Sequence, residues 1–267
     1  YNMCRMLSVI SRKKIPVDLL KRYIFDSEKS LLRQASYDED KLQKDGWGVG
    51  YYRSSEPAIF KSPAPVYEEE DKLQNIISKA GSKIFISHIR YASNPRNLDA
   101  KKLIGLENTQ PFSYRGFIFA HNGTLSIVDE IFSNLGRYSG YVKGVNDSEV
   151  LFWNFIKHMD AYGDAPTALS MMRDEINTVW ISVRKKYPFD RPYNGINVLV
   201  SDSKSLFALC DFKMKKRKYA IMSEKWEYGR FAYRKDGDFF IISSEPCDLG
   251  KWNKLVEPSV MIVDANL

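Results

Sequence analysis

The sequence predicts an α+β protein in which two largely antiparallel β-sheets pack face to face with helices on their outer sides. Strand-like runs lie before and after a pair of helical stretches without the strict strand-helix-strand alternation of a parallel sheet. No low-complexity linker or internal repeat divides the 267 residues, and at 44% hydrophobic and 13% aromatic they can bury a large core as one domain spanning residues 1–267.

Bulk properties narrow the class. Three cysteines, Cys4, Cys210 and Cys247, are too few and too scattered for a disulfide framework and form no Cys-x-x-Cys metal pair, so a reducing, cytoplasmic location is expected, with no metal and no cofactor. Leu7 to Ile10 is followed at once by Arg12, Lys13 and Lys14, and no stretch approaches the ~18 apolar residues of a membrane span. The net charge of +7 raises the question of nucleic acid. Its sharpest cluster, Lys213 to Lys218, falls between two apolar segments and is expected to decorate a hairpin loop. No nucleic-acid motif accompanies it, which argues against that class of partner.

The chain opens with Met3-Cys4-Arg5-Met6-Leu7-Ser8-Val9-Ile10, a first strand. A cysteine directly after a methionine suggests a methionine that is trimmed away, leaving Cys4 with both a thiol and a free α-amine. An α-amine titrates near pH ~7.7–8.0, so it can deprotonate its own thiol and then protonate a leaving group. Such a nucleophile needs no histidine. The bland alternative is a small buried hydrophobe. Residues 16–25 have apolar positions at helical spacing behind a first-turn proline, and residues 26–44 read as a helix remnant plus a mobile loop covering a site.

Asp45-Gly46-Trp47-Gly48-Val49-Gly50-Tyr51-Tyr52 is a strand whose alternating glycines let another backbone or a ligand come close. Residues 58–61 form its partner, 68–80 a helix, and 83–93 a β-branched and aromatic strand with Arg90 at its end. A guanidinium there can grip a carboxylate through two parallel hydrogen bonds, or be tied to structural carboxylates. His88 on the same strand reads as a structural histidine rather than a base. The strand 117–125 stops at His121-Asn122-Gly123, which offers a side-chain amide beside an unencumbered N–H, as a tetrahedral oxyanion requires. Asn-Gly is also a common hairpin turn. Residues 126–135 are helical in pattern. A further helix starts at Asp147 or Ser148 as its cap, and an Asp147 carboxylate can equally receive a substrate ammonium. A long helix over 166–184 precedes strands at 195–202, 205–212, 219–223, 238–245 and 260–263.

Together Cys4-Arg5, Asp45-Gly46-Trp47-Gly48, His88-Ile89-Arg90, Asn108-Thr109-Gln110-Pro111-Phe112, His121-Asn122-Gly123 and Asp147-Ser148-Glu149 resemble the class II glutamine amidotransferases of the N-terminal nucleophile hydrolase superfamily. The resemblance implies a four-layer αββα sandwich of two mainly antiparallel sheets. It implies Cys4 as nucleophile and base, Asn122 with the Gly123 N–H as oxyanion hole, Arg90 for the glutamine α-carboxylate and Asp147 for its ammonium. Gly46, Trp47 and His121 are expected around the glutamyl pocket. Gln110 stands where family members usually carry histidine, as a shaper of the pocket. Tyr1-Asn2-Met3 precede Cys4, and an acylated amine cannot act as a base, so the active form is expected to begin at Cys4. The stand-alone branch implies hydrolysis of glutamine or a γ-glutamyl small molecule through a Cys thioester. The alternatives are a glutaminase subunit passing ammonia to a separate synthetase, and a non-catalytic basic binding module on the same fold.

Overall fold

The computed structural model describes residues 3–38, 42–213 and 219–266. Two antiparallel sheets form the interior. The larger runs β11(Asn253–Lys254), β9(Ala232–Asp236), β10(Phe239–Ser243), β1(Arg5–Ser11), β4(Ile84–Ile89), β2(Trp47–Arg53), β3(Glu56–Ser62) in spatial order. The smaller runs β12(Ser259–Asp264), β8(Ser205–Cys210), β7(Tyr193–Ser201), β6(Phe117–Leu125), β5(Phe112–Tyr114). Between them lies a core that includes Met6, Ile10, Ile86, Ile118, Leu199 and Ile242.

Helices close both outer faces, because the central strands β1, β4, β2, β7, β8 and β6 are largely buried on both sides. Leu7, Val9, Trp47 and Phe85 pack outward against α1(Val17–Lys21), α2(Leu31–Ser36) and α3(Glu70–Ser78). Phe119, Val198 and Leu209 pack outward against α4(Val128–Ser133), α5(Asp147–Tyr162) and α6(Ala165–Val183). The expected αββα layering is thereby realised.

The glycine strand does what its spacing suggested. A Cβ at Gly48 would overlap the carbonyl oxygen of Gln110, and one at Gly50 would crowd Ile118, so these glycines set how closely the two sheets approach.

Three local expectations are corrected. Residues 219–223 form no strand; Tyr219 forms an isolated bridge with Glu227. The neighbours of β8 are β7 and β12, so no hairpin links it to residue 219. Of the basic cluster Lys213 is described, with Nζ 3.0 Å from Asn177 Oδ1 and 4.4 Å from the Tyr193 ring centre, while residues 214–218 lie outside the described residues. The helix remnant expected within 26–44 is α2 over residues 31–36, capped by Ser30, and residues 39–41 lie outside the described residues. The cap of α5 is Asn146, whose side chain accepts from the Glu149 N–H, and not Asp147 or Ser148. Asn146 is held in turn by its own amide on the Asn108 carbonyl at 2.7 Å. That leaves the Asp147 carboxylate free for other work.

Candidate active site

Cys4 precedes β1, the middle strand of the larger sheet, and its thiol lies where β1 and β4 end side by side. The Tyr91 N–H donates to Sγ at 3.3 Å, and the thiol can donate to the Tyr91 carbonyl at 3.4 Å. Arg90 is reached from the same strand end. Its backbone is pinned between Asp45 and Gly46, and its Nη1 donates to the carbonyls of Leu103 (2.7 Å) and Asp45 (3.2 Å). The residue is 3% exposed and makes no ion pair among the described residues, although Asp45 and Asp147 are near enough to stabilise its charge. A buried guanidinium that holds only neutral carbonyls can still take an anion as a charged partner.

From the facing sheet, β6 brings Asn122 and Gly123. The strand does not stop there: it runs on to Leu125, with Gly123 opposite Ile196 and Thr124 opposite Gly195, so the hairpin reading is excluded and the expected strand end is corrected. Asn122 Nδ2 donates to the Cys4 carbonyl at 2.8 Å, while its second contact, Ser244 Oγ, is long at 3.4 Å. An amide nitrogen carries two hydrogens, so one is committed to positioning Cys4 and the other makes only the long Ser244 contact, which a closer ligand acceptor can replace. Asp147, 1% exposed, accepts from the Leu125 N–H at 2.7 Å and from Ser93 Oγ at 3.3 Å.

The structure therefore brings Cys4, Arg90, Asn122, Gly123 and Asp147 to one end of the sandwich. Cys4 and Gly123 face a cleft of about 490 Å³, and Arg90 and Asp147 stand directly behind its wall, next to Tyr91 and Ser93. Gly46 contributes its carbonyl to the Arg90 N–H. The Trp47 ring lies on the opposite face of the sheet, in the core under α3, with Nε1 donating to Glu69 at 2.9 Å. His121 points with Phe119 to the helix side of the smaller sheet, 1% exposed, where it meets Ser148 at the start of α5. Its Nε2 faces the Gly195 carbonyl at 3.2 Å, which can only accept, so the proton sits on Nε2 and Nδ1 accepts from Ser148 Oγ at 2.9 Å. Gln110 joins this group: its Oε1 accepts from the His121 N–H, and its Nε2 reaches His88 and Ser148. Burial, the Arg90 charge and His121 push the His88 pKa down to about 3, so it is a neutral structural ring and no base. The cleft walls that no motif signalled are Pro95, Phe189, Asn194, Phe212 and Tyr228, scattered along the chain and sharing no residue type.

Burial raises the Cys4 thiol from the usual 9.0 to about 11, although the Tyr91 N–H, Arg90 and Arg5 pull it down. In protein that keeps Met3, iodoacetamide should label Cys4 about 100-fold more slowly at pH 8 than an ordinary exposed thiol, as two pKa units imply. The rate should climb about tenfold per pH unit until near 11. Cys210 and Cys247, buried and raised to about 12, give little background. Peptide-resolved mass spectrometry across pH checks this, and labelling at the rate of an exposed thiol would contradict it.

No helix among the described residues is long and apolar enough to cross a membrane, and among them no group of His, Cys, Asp or Glu could hold a metal ion. Residues 4–233 match the family model for class II glutamine amidotransferases. The chain is 26% identical to an uncharacterised protein of Methanocaldococcus jannaschii, over 97% of this chain and 69% of that one. It is 26% identical to the probable glutamine amidotransferase DUG3 of Saccharomyces cerevisiae, over 61% of this chain and 48% of that one. It is 27% identical to the γ-glutamyl-hercynylcysteine sulfoxide hydrolase of Mycobacterium tuberculosis, over 46% of this chain and 48% of that one. The matches thus span about half the length of the yeast and mycobacterial relatives. In fold it is similar to a glutamine aminotransferase class-II domain protein of Silicibacter pomeroyi, with a TM-score of 0.64, 19% identity and coverage of 98% of this chain and 96% of that one.

Proposed function

Since this chain belongs to the class II glutamine amidotransferases, we propose that it hydrolyses the γ-amide of glutamine or of a γ-glutamyl compound through a thioester on Cys4. The observation that carries this reading is the buried, ion-pair-free Arg90 beside the Cys4 thiol, with Asp147 behind the same wall.

In the form that begins at Cys4, the free α-amine takes the thiol proton as Sγ attacks the γ-carbonyl carbon. The oxygen becomes an oxyanion, held by the spare Asn122 Nδ2 hydrogen and the Gly123 N–H. Collapse breaks the C–N bond, and the ammonium form of the amine gives its proton to the departing nitrogen. Water, deprotonated by the same amine, then attacks the thioester and releases glutamate with the thiol restored. Arg90 holds the α-carboxylate through this sequence, and Asp147 the α-ammonium. The relative named for γ-glutamyl hydrolysis supports the amide class.

The test is a KM measurement on protein beginning at Cys4. Arg90→Lys keeps the charge but loses the fork, and Asp147→Asn keeps the shape but loses the charge. Each should raise KM for glutamine or a γ-glutamyl compound, by about 2–5 kcal/mol of lost charge-paired binding, with a much smaller change in kcat. KM unchanged in both variants would put the glutamyl pocket elsewhere.

A further inference from the structure

Met3 is attached to the nitrogen that must hand its proton to the leaving group. It therefore occupies the leaving-group side of Cys4, and what holds Met3 shows what that side is built to hold. Its two halves are gripped by different chemistry. The carbonyl oxygen accepts two hydrogen bonds from one guanidinium, Arg5 Nε at 3.3 Å and Nη2 at 3.1 Å. The side chain, 8% exposed, packs with Phe212 and Tyr228 in an apolar cluster separate from the main cores, the two rings edge to face at 5.6 Å.

Arg5 is fixed before any ligand arrives. Its Nη1 donates to Glu245 Oε1 at 3.0 Å in a pair whose side chains are 3% and 0% exposed. Glu245 also accepts from the N–H groups of Ile221 (3.2 Å) and Met222 (3.0 Å). Loss of Met3 thus leaves two aimed donors on a rigid guanidinium, beside an aromatic cup facing Pro95 and Phe189 across the cleft. Free glutamine offers this space only an ammonia molecule. Both Arg5 donors would then lack an acceptor and the cup would stand empty, which is costly for a buried polar group.

Resting on the γ-glutamyl hydrolysis proposed above, we propose that Arg5, Phe212 and Tyr228 form the leaving-group subsite, and that it selects γ-glutamyl amino acids whose second residue carries a free carboxylate and a large apolar side chain. The carboxylate takes the place of the Met3 carbonyl on Arg5, a match of planar fork to planar anion. The side chain takes the place of the Met3 thioether between the rings.

The experiment uses enzyme beginning at Cys4, verified by intact mass, and compares kcat/KM for glutamine, γ-Glu-Gly, γ-Glu-Phe and γ-glutamyl phenethylamide, which keeps the ring but lacks the carboxylate. γ-Glu-Phe should exceed each of the other three by at least ~10-fold, the range a filled apolar pocket or a satisfied buried donor gives. Phe212→Ala should shrink the γ-Glu-Phe to γ-Glu-Gly ratio to within ~3-fold. The phenethylamide comparison needs no altered protein and so judges Arg5 even if Phe212→Ala fails to fold. Equal kcat/KM across the series, in enzyme that turns over glutamine, would overturn the subsite while leaving γ-amide hydrolysis standing. Release of glutamate from none of the four would overturn the hydrolytic reading and the subsite with it.

Discussion

Protein beginning at Cys4 will release glutamate from glutamine or a γ-glutamyl amide, and protein retaining Met3 will be slower by on the order of 10⁴-fold or more, comparable to loss of a catalytic base or nucleophile. Three features of the site combine to this end. The amide nitrogen joining Met3 to Cys4 has no basic lone pair, so no group takes the thiol proton. The thiol itself is held protonated, its pKa pushed up to about 11 by burial. The Met3 side chain and carbonyl also fill the ground beside Phe212, Tyr228 and Arg5. Cys4→Ala in otherwise processed protein should match that loss while leaving ligand binding within a few-fold, because Arg90 and Asp147 are untouched. Intact mass fixes the terminus, a coupled glutamate assay gives turnover, and calorimetric titration gives binding. Full turnover with Met3 attached would end the case for the amine as base.

Gly123→Ala should abolish turnover and cost about 3–5 kcal/mol of stability, combining left-handed backbone strain with lost ladder hydrogen bonds. Gly123 has φ +153°, and a Cβ there would overlap the carbonyl of Gly195 on the neighbouring strand, backbone against backbone. Neither partner can turn aside as a side chain would. The same carbonyl faces His121 Nε2 at 3.2 Å, so the clash would spread into the buried group around Gln110. For a chain of this size the expected fall in Tm is roughly 10 °C. Gly140→Ala is the control, since nothing lies within 4 Å of its added Cβ and its φ is ordinary. It should change stability by less than ~0.5 kcal/mol. A Gly123→Ala protein as stable and active as that control would show that β6 and β7 can part without harm.

Much of this was legible in the residues because local chemistry and tertiary role coincide. The alternating glycines of β2 and the placement of Arg90 at the end of an apolar strand each state a local need that the fold meets. Reading failed where the fold overrides a local signal. Asn122-Gly123 has the composition of a turn, yet it continues as strand because Gly123 fits against Gly195 and Asn122 reaches the Cys4 carbonyl. Asp147 resembles a cap, but Asn146 takes that role because Asn108, nearly forty residues earlier, anchors it. The strand β9, Ala-Tyr-Arg-Lys-Asp, was missed because its charges hide the period of two. Residues 219–223 have a strand's composition, whereas the N–H groups of Ile221 and Met222 serve the Glu245 carboxylate and that of Ala220 the Trp226 carbonyl. The leaving-group wall, with Phe189, Phe212 and Tyr228 carried by separate loops, has no sequence motif at all, and only folding assembles it.

The central place of β1 also governs the order of events during synthesis. The residues of β1 are made well before one of its two neighbours, β10 at residues 239–243, and before Glu245, the partner of Arg5. A nascent chain that has not reached residues 239–245 leaves the midline of its larger sheet half paired, so the site closes only after those residues are made. Until then the Met3–Cys4 bond is open to a passing peptidase; afterwards Met3 is 8% exposed and out of its reach. On the proposed mechanism, trimming and folding therefore compete, and the share of competent molecules is set by which finishes first.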